Sequence, residues 1–421
     1  MSIQSHEPSG SVLETQEGHR RALEALVAGH RRRFDWYDAL IDAGDRRQGT
    51  RLADLPIIDE RVLLEHYYTA THDQLPGAHA FQTSGTSSGR RKTILYSDAD
   101  DAAYCAQRAQ LFASFLNDVP RGSVAVSDVG TGHAAASAHT IFRQIGLDPH
   151  EIDFRRPIEE HIELLNRTQP AVLFTMPVIL ERLLACGDEL DIHPRKVIVV
   201  GDVAPENWRR HVATELGIEA DDVLDIVGSI EIGAIAWHCA ETGLYHFHDH
   251  ILPEAVEPGE LFPECAGALS ADQGLLLLTS LAREYFPAVR YATNDVVKGL
   301  RRMQWQGRTI FVCEQFQGRF AGEVKHGERL SSYDICTAVN EAFPGCMFEV
   351  IEDSGVEIRI VTPRVTPEQQ AQIADFLMAA NPDIGDMVRS GLTRPIAVSA
   401  ISPEALRASR GKRVFHGESS A

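Results

Sequence analysis

This 421-residue chain lacks an excess of positive charge: 60 Asp and Glu stand against 40 Lys and Arg, a formal net charge of −20. Such a surface repels a nucleic-acid backbone or an anionic membrane, so neither is expected as a main partner. It does not exclude a phosphate ligand, because a local basic loop and a divalent cation can hold a phosphate chain within an acidic protein. No apolar run approaches the length of a membrane span, and Met1 to Gly18 is polar, without the apolar region of a signal peptide. Cysteine is sparse, with seven residues at 105, 186, 239, 265, 313, 336 and 346. An odd, dispersed set excludes a disulfide framework and fits reduced thiols in a cytoplasm. The chain also lacks internal repeats, low-complexity tracts and the G-x-x-x-x-G-K-[ST] spacing of a Walker A loop. Hydrophobic residues at 44% and charged residues at 24% are the balance of an ordinary globular protein, and the length fits two domains.

What is present is concentrated first in Phe81-Gln82-Thr83-Ser84-Gly85-Thr86-Ser87-Ser88-Gly89-Arg90-Arg91-Lys92. Thr83, Ser84, Thr86, Ser87 and Ser88 each carry a hydroxyl around Gly85, and basic residues follow at once. Small residues let the backbone approach a polyphosphate, hydroxyls and N–H groups donate to it, and the cations neutralise it. A Ser/Gly-rich surface turn is the alternative reading of this stretch alone.

Residues 1 to about 20 are expected to be loosely attached, with helical patterns at His19–His30 and Arg33–Ala43. Asp54 to Glu60 reads as an extended connector in which Asp59 caps the next helix. Lys92–Tyr96 reads as a strand and Ala99–Leu116 as a helix. Apolar strands then alternate with amphipathic helices: Ser123–Ser127, Ala171–Thr175, Val197–Val200 and Val223–Val227 are the strands. Continuous β-branched strands of this kind indicate sheets covered on both faces, with ligands beyond their carboxyl ends. Gly130-Thr131-Gly132, Gly201-Asp202 and Gly228-Ser229 fall at such ends. From Tyr245 the pattern is strand-rich. The last hundred residues read as a small α+β unit, with helices at Ser332–Ala342 and Pro367–Met378 and a hairpin turned at Asp353-Ser354-Gly355. The fold class is α/β: a core domain over residues 1–318 with a strand-rich subdomain, then a smaller domain over 319–421.

Several stretches, taken in order, make a family resemblance specific. Leu55-Pro56-Ile57-Ile58, the phosphate-type loop, Gly201-Asp202-Val203-Ala204-Pro205 and Asp225-Ile226-Val227-Gly228-Ser229-Ile230-Glu231 come first. His246-Phe247-His248-Asp249-His250, Arg290-Tyr291-Ala292-Thr293-Asn294-Asp295, Gly318-Arg319 and Ser409-Arg410-Gly411-Lys412-Arg413-Val414 follow. Together they resemble the acyl-adenylate-forming enzymes, closest to the branch of phenylacetate-CoA ligase, coenzyme F390 synthetase and CapK. The resemblance runs from about Phe34 to Val414. It implies ATP held at Thr83–Ser88, Gly201, Asp202, Val227, Gly228 and Ser229, with Arg91 or Lys92 adding charge. It implies Mg²⁺ on Glu231 against phosphate oxygens, and Asp295 accepting from both ribose hydroxyls. Arg319 reaches ribose or phosphate at a hinge, so that the 319–421 domain is a mobile lid. Lys412 bridges carboxylate and phosphate oxygens, a task for a mobile point charge on a long stem. Two departures stand out: the family tyrosine is Val227 here, and the family Thr/Ser is Ile230.

The acyl pocket implied by the resemblance includes Gly130, Gly132, His133 and Ile230, with little bulk and room for an aromatic ring. Some members of this branch bind structural zinc, and Cys239, His246 and Cys313 are the corresponding candidates; a fourth ligand is needed. The expected activity is ATP-dependent activation of a small carboxylic acid as acyl-AMP, then transfer to a thiol, with coenzyme A as co-substrate. An amine acceptor, a carrier protein, or a non-catalytic nucleotide-binding homologue are the alternatives, and a homodimer is left open. The resemblance predicts that Lys412→Ala abolishes pyrophosphate release while leaving transfer from preformed acyl-AMP largely intact. Assaying the two half-reactions separately checks this, and equal loss of both removes Lys412 from the role.

Overall fold

The computed structural model describes residues 10–42, 51–69, 75, 77–82, 92–130, 133–320, 330–352, 355–407, 413 and 415–416. The chain forms two compact units. One is drawn from Met1–Tyr104, Ser229–Leu261 and Leu269–Gln315; the other from Cys105–Gly228, Phe262–Ala268 and Phe316–Ala421. The fold is mixed α/β, as expected from the alternating pattern. No described helix is long and apolar enough to cross a membrane.

In the second unit, parallel strands lie in the order Val223–Ser229, Lys196–Val200, Val172–Thr175, Val124–Asp128, Asp148–Glu151. Every residue of Val172–Thr175 is buried, as a parallel strand covered on both faces requires. Chain order reverses at Val124–Asp128: the next strand lies on one side of it and all later ones on the other. That reversal opens a crevice beyond the carboxyl ends of Val124–Asp128 and Val172–Thr175, where ligands of open α/β sheets bind. The helix Glu206–Leu216 ends at Gly217, which takes the left-handed conformation at φ +66°. The strand Asp148–Glu151 was not expected. It is a polar edge strand containing Pro149, and such a segment reads as a turn when only its composition is seen.

The same unit contains a smaller α+β body with its own apolar core, in which Ile335, Val339, Val350, Ile358, Ile373 and Leu377 are essentially unexposed. Its strands run in the order Ala397–Ile401, Val356–Val361, Phe348–Glu352, Phe415–His416. Ser331 caps Ser332–Ala342, and a reciprocal Thr366–Gln369 box caps Pro367–Ala380. The helix Pro382–Ser390 escaped the sequence reading because Gly385 and its polar residues mask the period.

The first unit begins with the helix Gly10–Arg33, where a loose segment was expected as far as residue 20. Three antiparallel strands, Ile251–Val256, Gln273–Ser280 and Tyr291–Lys298, form one sheet. A second antiparallel set holds Arg301–Trp305, Arg308–Cys313, Leu244–Phe247 and Gly233–Cys239 in that order. Two motifs far apart in sequence meet here. Ile58 N–H donates to the Arg290 carbonyl at 3.1 Å, and Arg290 Nη1 donates to the Leu55 carbonyl at 2.8 Å.

His30 is fully buried between Phe34 and Tyr37, with its Nε2–H donating to the Arg283 carbonyl at 3.2 Å. Burial holds the imidazole neutral and lowers its pKa from 6.5 to about 3. The unfolded chain therefore takes up a proton that the folded chain refuses. Stability falls as pH drops below about 6.5, by roughly 1.4 kcal/mol per unit over that range from this group. Urea unfolding of wild type and His30→Gln at pH 7.0 and 5.5 tests this: the variant, which keeps a neutral donor, should lose less stability than wild type.

Candidate functional site

The two units each carry part of the predicted site. In the second unit, Gly130, Gly201 and Met176 are neighbours at the carboxyl edge of the parallel strands. Gly130 N–H approaches Met176 Sδ at 3.3 Å. A Cβ on Gly201, at φ +96°, would lie 2.9 Å from Met176 Cε, so a larger residue there is opposed by both backbone and space. His133 is buried and opens the helix His133–Gln144. Gly132 lies outside the described residues, as do Thr83 to Ser88, Arg91 and Lys412.

Asp202 is pinned on both carboxylate oxygens. Its Oδ1 accepts from Val203 N–H and its Oδ2 from Arg413 N–H, each at 2.8 Å. The Arg413 side chain is buried and pairs with Glu181, whose Oε1 also accepts from Trp208 Nε1 at 2.8 Å. Arg413 Nη1 donates to the Val203 carbonyl at 2.8 Å, and the guanidinium lies 5.5 Å from the Phe348 ring centroid. Burial pushes the Glu181 carboxyl up, while Arg413 and Trp208 act against it; the same carboxylates hold Arg413 firmly charged. The residue directly after Lys412 is thus locked to the Gly201-Asp202 turn. Glu181 and Trp208 leave no signal in the sequence, because a single buried carboxylate in an apolar helix leaves no periodic mark.

A second buried pair sits at the strand reversal. His161 Nδ1 and Asp128 Oδ2 are 2.7 Å apart, with side chains 3% and 0% exposed. Among the described residues, Asp128 Oδ1, His161 Nε2 and Thr175 Oγ1 have no hydrogen-bond partner. Burial raises the Asp128 carboxyl, against the pull of His161.

In the first unit, the turn Ser229 to Glu231 is held by its main chain. Ser229 Oγ accepts from Ile232 N–H at 3.1 Å. Tyr96 Oη–H donates to the Ile230 carbonyl at 2.8 Å, and Arg283 Nε–H to the Glu231 carbonyl at 2.9 Å. The Glu231 side chain is half-buried and enters no hydrogen bond or ion pair among the described residues. A carboxylate left unpaired among the described residues, on a turn held by its main chain, fits Mg²⁺, which takes one or two carboxylates plus substrate phosphates. Asp295 N–H donates to Thr293 Oγ1 at 3.0 Å, after Asn294 in the left-handed region at φ +59°. Lys92 Nζ is 2.5 Å from Glu60 Oε1, so its charge is engaged there. In the second unit, Val227 offers its carbonyl to Arg108 Nη2 at 3.1 Å, Gly228 follows it, and Arg319 is exposed at a strand end after Gly318 at φ +96°.

The zinc candidates do not converge. Tyr245 pairs with Cys313, and His246 with Val312. Adjacent strand residues face opposite sides, so Cys313 points away from the face that carries His246 and Cys239. His246 instead binds Thr242 Oγ1 at 2.8 Å, and burial raises the Cys313 thiol well above its ordinary value. Among the described residues no group of three His, Cys, Asp or Glu forms a metal site.

Comparison with known proteins gives four informative matches. Residues 325–402 match the family described as fumarate–diaminopropanoate ligase C-terminal domain. The chain is 41% identical over 401 residues to a fumarate–(S)-2,3-diaminopropanoate ligase from Enterobacter agglomerans, covering 95% of this chain and 100% of that one. It is 27% identical over 315 residues to the phenylacetate-coenzyme A ligase of Escherichia coli, covering 70% and 67%. Among solved structures, a 2-hydroxyisobutyryl-CoA ligase bound to an acyl-adenylate superposes with a TM-score of 0.70 at 14% identity, over 99% of this chain and 95% of that one.

The Arg413–Glu181 pair generates a stability test. Removing one partner strands a buried charge, at a cost of about 3–5 kcal/mol, whereas replacing both with apolar groups is often near neutral. Arg413→Met should therefore lower the urea midpoint far more than the double variant Glu181→Leu/Arg413→Met. Equal losses would show that packing, not charge, sets the contribution.

Proposed function

This chain is a member of the acyl-adenylate-forming superfamily, in the same family as the Enterobacter agglomerans fumarate–(S)-2,3-diaminopropanoate ligase, and on that premise we propose that it is an ATP-dependent acid–amine ligase. It activates a short dicarboxylic acid such as fumarate and passes the acyl group to a diamino acid. The observation that carries this reading is the 41% identity across both whole chains, together with the C-terminal match over residues 325–402.

In the first half-reaction one carboxylate oxygen of the acid attacks the α-phosphorus of ATP, giving acyl-AMP and pyrophosphate. Two anions must meet, so neutralising and orienting charge dominate over proton transfer. Thr83 to Ser88 cradle the phosphates, Asp295 takes the ribose, and Lys412 stabilises the developing charge. Glu231 would hold a Mg²⁺ ion, which when bound would add neutralising charge at the phosphate oxygens. The second carboxylate of the acid is assigned to the N-terminus of the helix His133–Gln144, which favours negative charge. In the second half-reaction the free amine attacks the acyl carbon, AMP leaves, and the nitrogen loses a proton. Residues 319–421 act as the lid that exchanges roles between the halves. Absence of an aromatic side chain at Val227 and of a hydroxyl at Ile230 belongs, in this reading, to a small polar acid in place of a ring.

A second reading, transfer of an aromatic acyl group to coenzyme A, draws on the likeness to phenylacetate-coenzyme A ligase. Pyrophosphate release separates the two. The assay combines Mg·ATP with fumarate, succinate, maleate or phenylacetate, each with (S)-2,3-diaminopropanoate, coenzyme A, hydroxylamine or no acceptor. The proposal expects fumarate-dependent release and an amide product with the diamino acid, unaffected by coenzyme A. Phenylacetate-dependent release accelerated by coenzyme A would replace it with the second reading.

A further inference from the structure

We propose that Arg283 is a positioning residue that locks the Ser229–Glu231 turn to the strand leaving the phosphate-type loop. The inference rests on the reading of Glu231 as the carboxylate that holds phosphate-bound Mg²⁺. It concerns residues that no family motif singled out.

Arg283 is 3% exposed and uses each of its three nitrogens on a different element. Nη1 pairs with Asp100 Oδ2 at 2.5 Å, Nη2 donates to the Leu95 carbonyl at 2.9 Å, and Nε donates to the Glu231 carbonyl at 2.9 Å. A guanidinium suits this task because its donors are fixed in one plane. The plane lies 3.8 Å from the centroid of the Tyr96 ring, and the Tyr96 hydroxyl holds the neighbouring Ile230 carbonyl at 2.8 Å. Consecutive carbonyls of the turn are therefore tied to the strand Thr93–Tyr96, one directly by Tyr96 and the next through Arg283, which also binds the Leu95 carbonyl of that strand.

Asp100 supplies the counter-charge and is itself immobilised. It forms a reciprocal cap with Ser97: Ser97 N–H donates to Asp100 Oδ2, and Asp100 N–H donates to Ser97 Oγ, both at 3.0 Å. Its carboxylate also accepts from Glu284 N–H at 2.6 Å and Tyr285 N–H at 3.1 Å. The arrangement connects the strand after the loop, the Glu231 turn and the segment leading to Asp295. A carboxylate projecting from a turn bonded on both of its carbonyls has little freedom to leave a phosphate-bound cation. Groups that orient a metal ligand typically change metal affinity about 10–100-fold when removed.

The test uses the full-length protein with Arg283→Met, Arg283→Lys and Tyr96→Phe. Two readouts are followed across a Mg²⁺ series: ATP binding by calorimetry without acid, and pyrophosphate release with the acid substrate. Arg283→Met should raise the Mg²⁺ needed for half-maximal ATP binding by about tenfold or more. Its KM for the acid at saturating Mg²⁺ should move less than about twofold, because acid binding is a separate interaction. Arg283→Lys should recover part of the shift. Tyr96→Phe, which keeps the ring, should show a smaller shift in the same direction and decides the matter if Arg283→Met fails to fold. Unchanged Mg²⁺ dependence in folded variants overturns the proposal. If wild type releases no pyrophosphate with any acid, yet the variants shift the Mg²⁺ dependence of ATP binding, the ligase reading falls and this inference stands.

Discussion

A charge taken out of water must meet an opposite charge in the fold, and each of the two units satisfies that constraint beside one of its candidate motifs. Asp100 and Arg283 are paired at 3% exposure or less under the Glu231 turn. Glu181 and Arg413 are each 2% exposed beside the Gly201-Asp202 turn. Buried pairs of this kind are weak contributors to net stability, since desolvation offsets much of their attraction. Their value is geometric. Each guanidinium distributes several directed donors, and a side chain that lost its place would strand a charge.

The same economy explains how a protein of net charge −20 handles polyanions. Its general surface repels phosphate, so the proposed recognition of ATP calls for local cations, backbone N–H groups and a divalent cation to offset that repulsion. The buried arginines are spent on holding the turns. Lys412, the cation proposed for the chemistry, directly precedes in sequence Arg413, the residue anchored to Asp202. An anchor on the adjacent residue limits how far a long lysine stem must search.

Much of the architecture is legible in the chain. Val172–Thr175 and Lys196–Val200 announce themselves as continuous apolar runs ended by Met176-Pro177 and Gly201. The motif order from Leu55 to Val414 places the chain among acid-activating enzymes before any coordinates are seen. Elements with mixed character escaped: the edge strand Asp148–Glu151 and the helix Pro382–Ser390 are too polar for their periods to show. Spacing also misled. Cys239, His246 and Cys313 look like ligands in sequence, but a pleated sheet sends neighbouring residues to opposite faces, and register alone decides which side each takes.

By itself the sequence determined the alternation of strands and helices, the glycines at strand ends and the residue types of each motif, because these follow from local periodicity and backbone sterics. Only tertiary structure decided which motifs meet. Ile58 joins Arg290, Arg283 reaches the Glu231 carbonyl, and Arg413 closes on Glu181 across 232 positions of chain. Those partners are single charged residues with no repeat, and their pairing is fixed by the cost of leaving a buried charge or carbonyl unmet once the chain has packed.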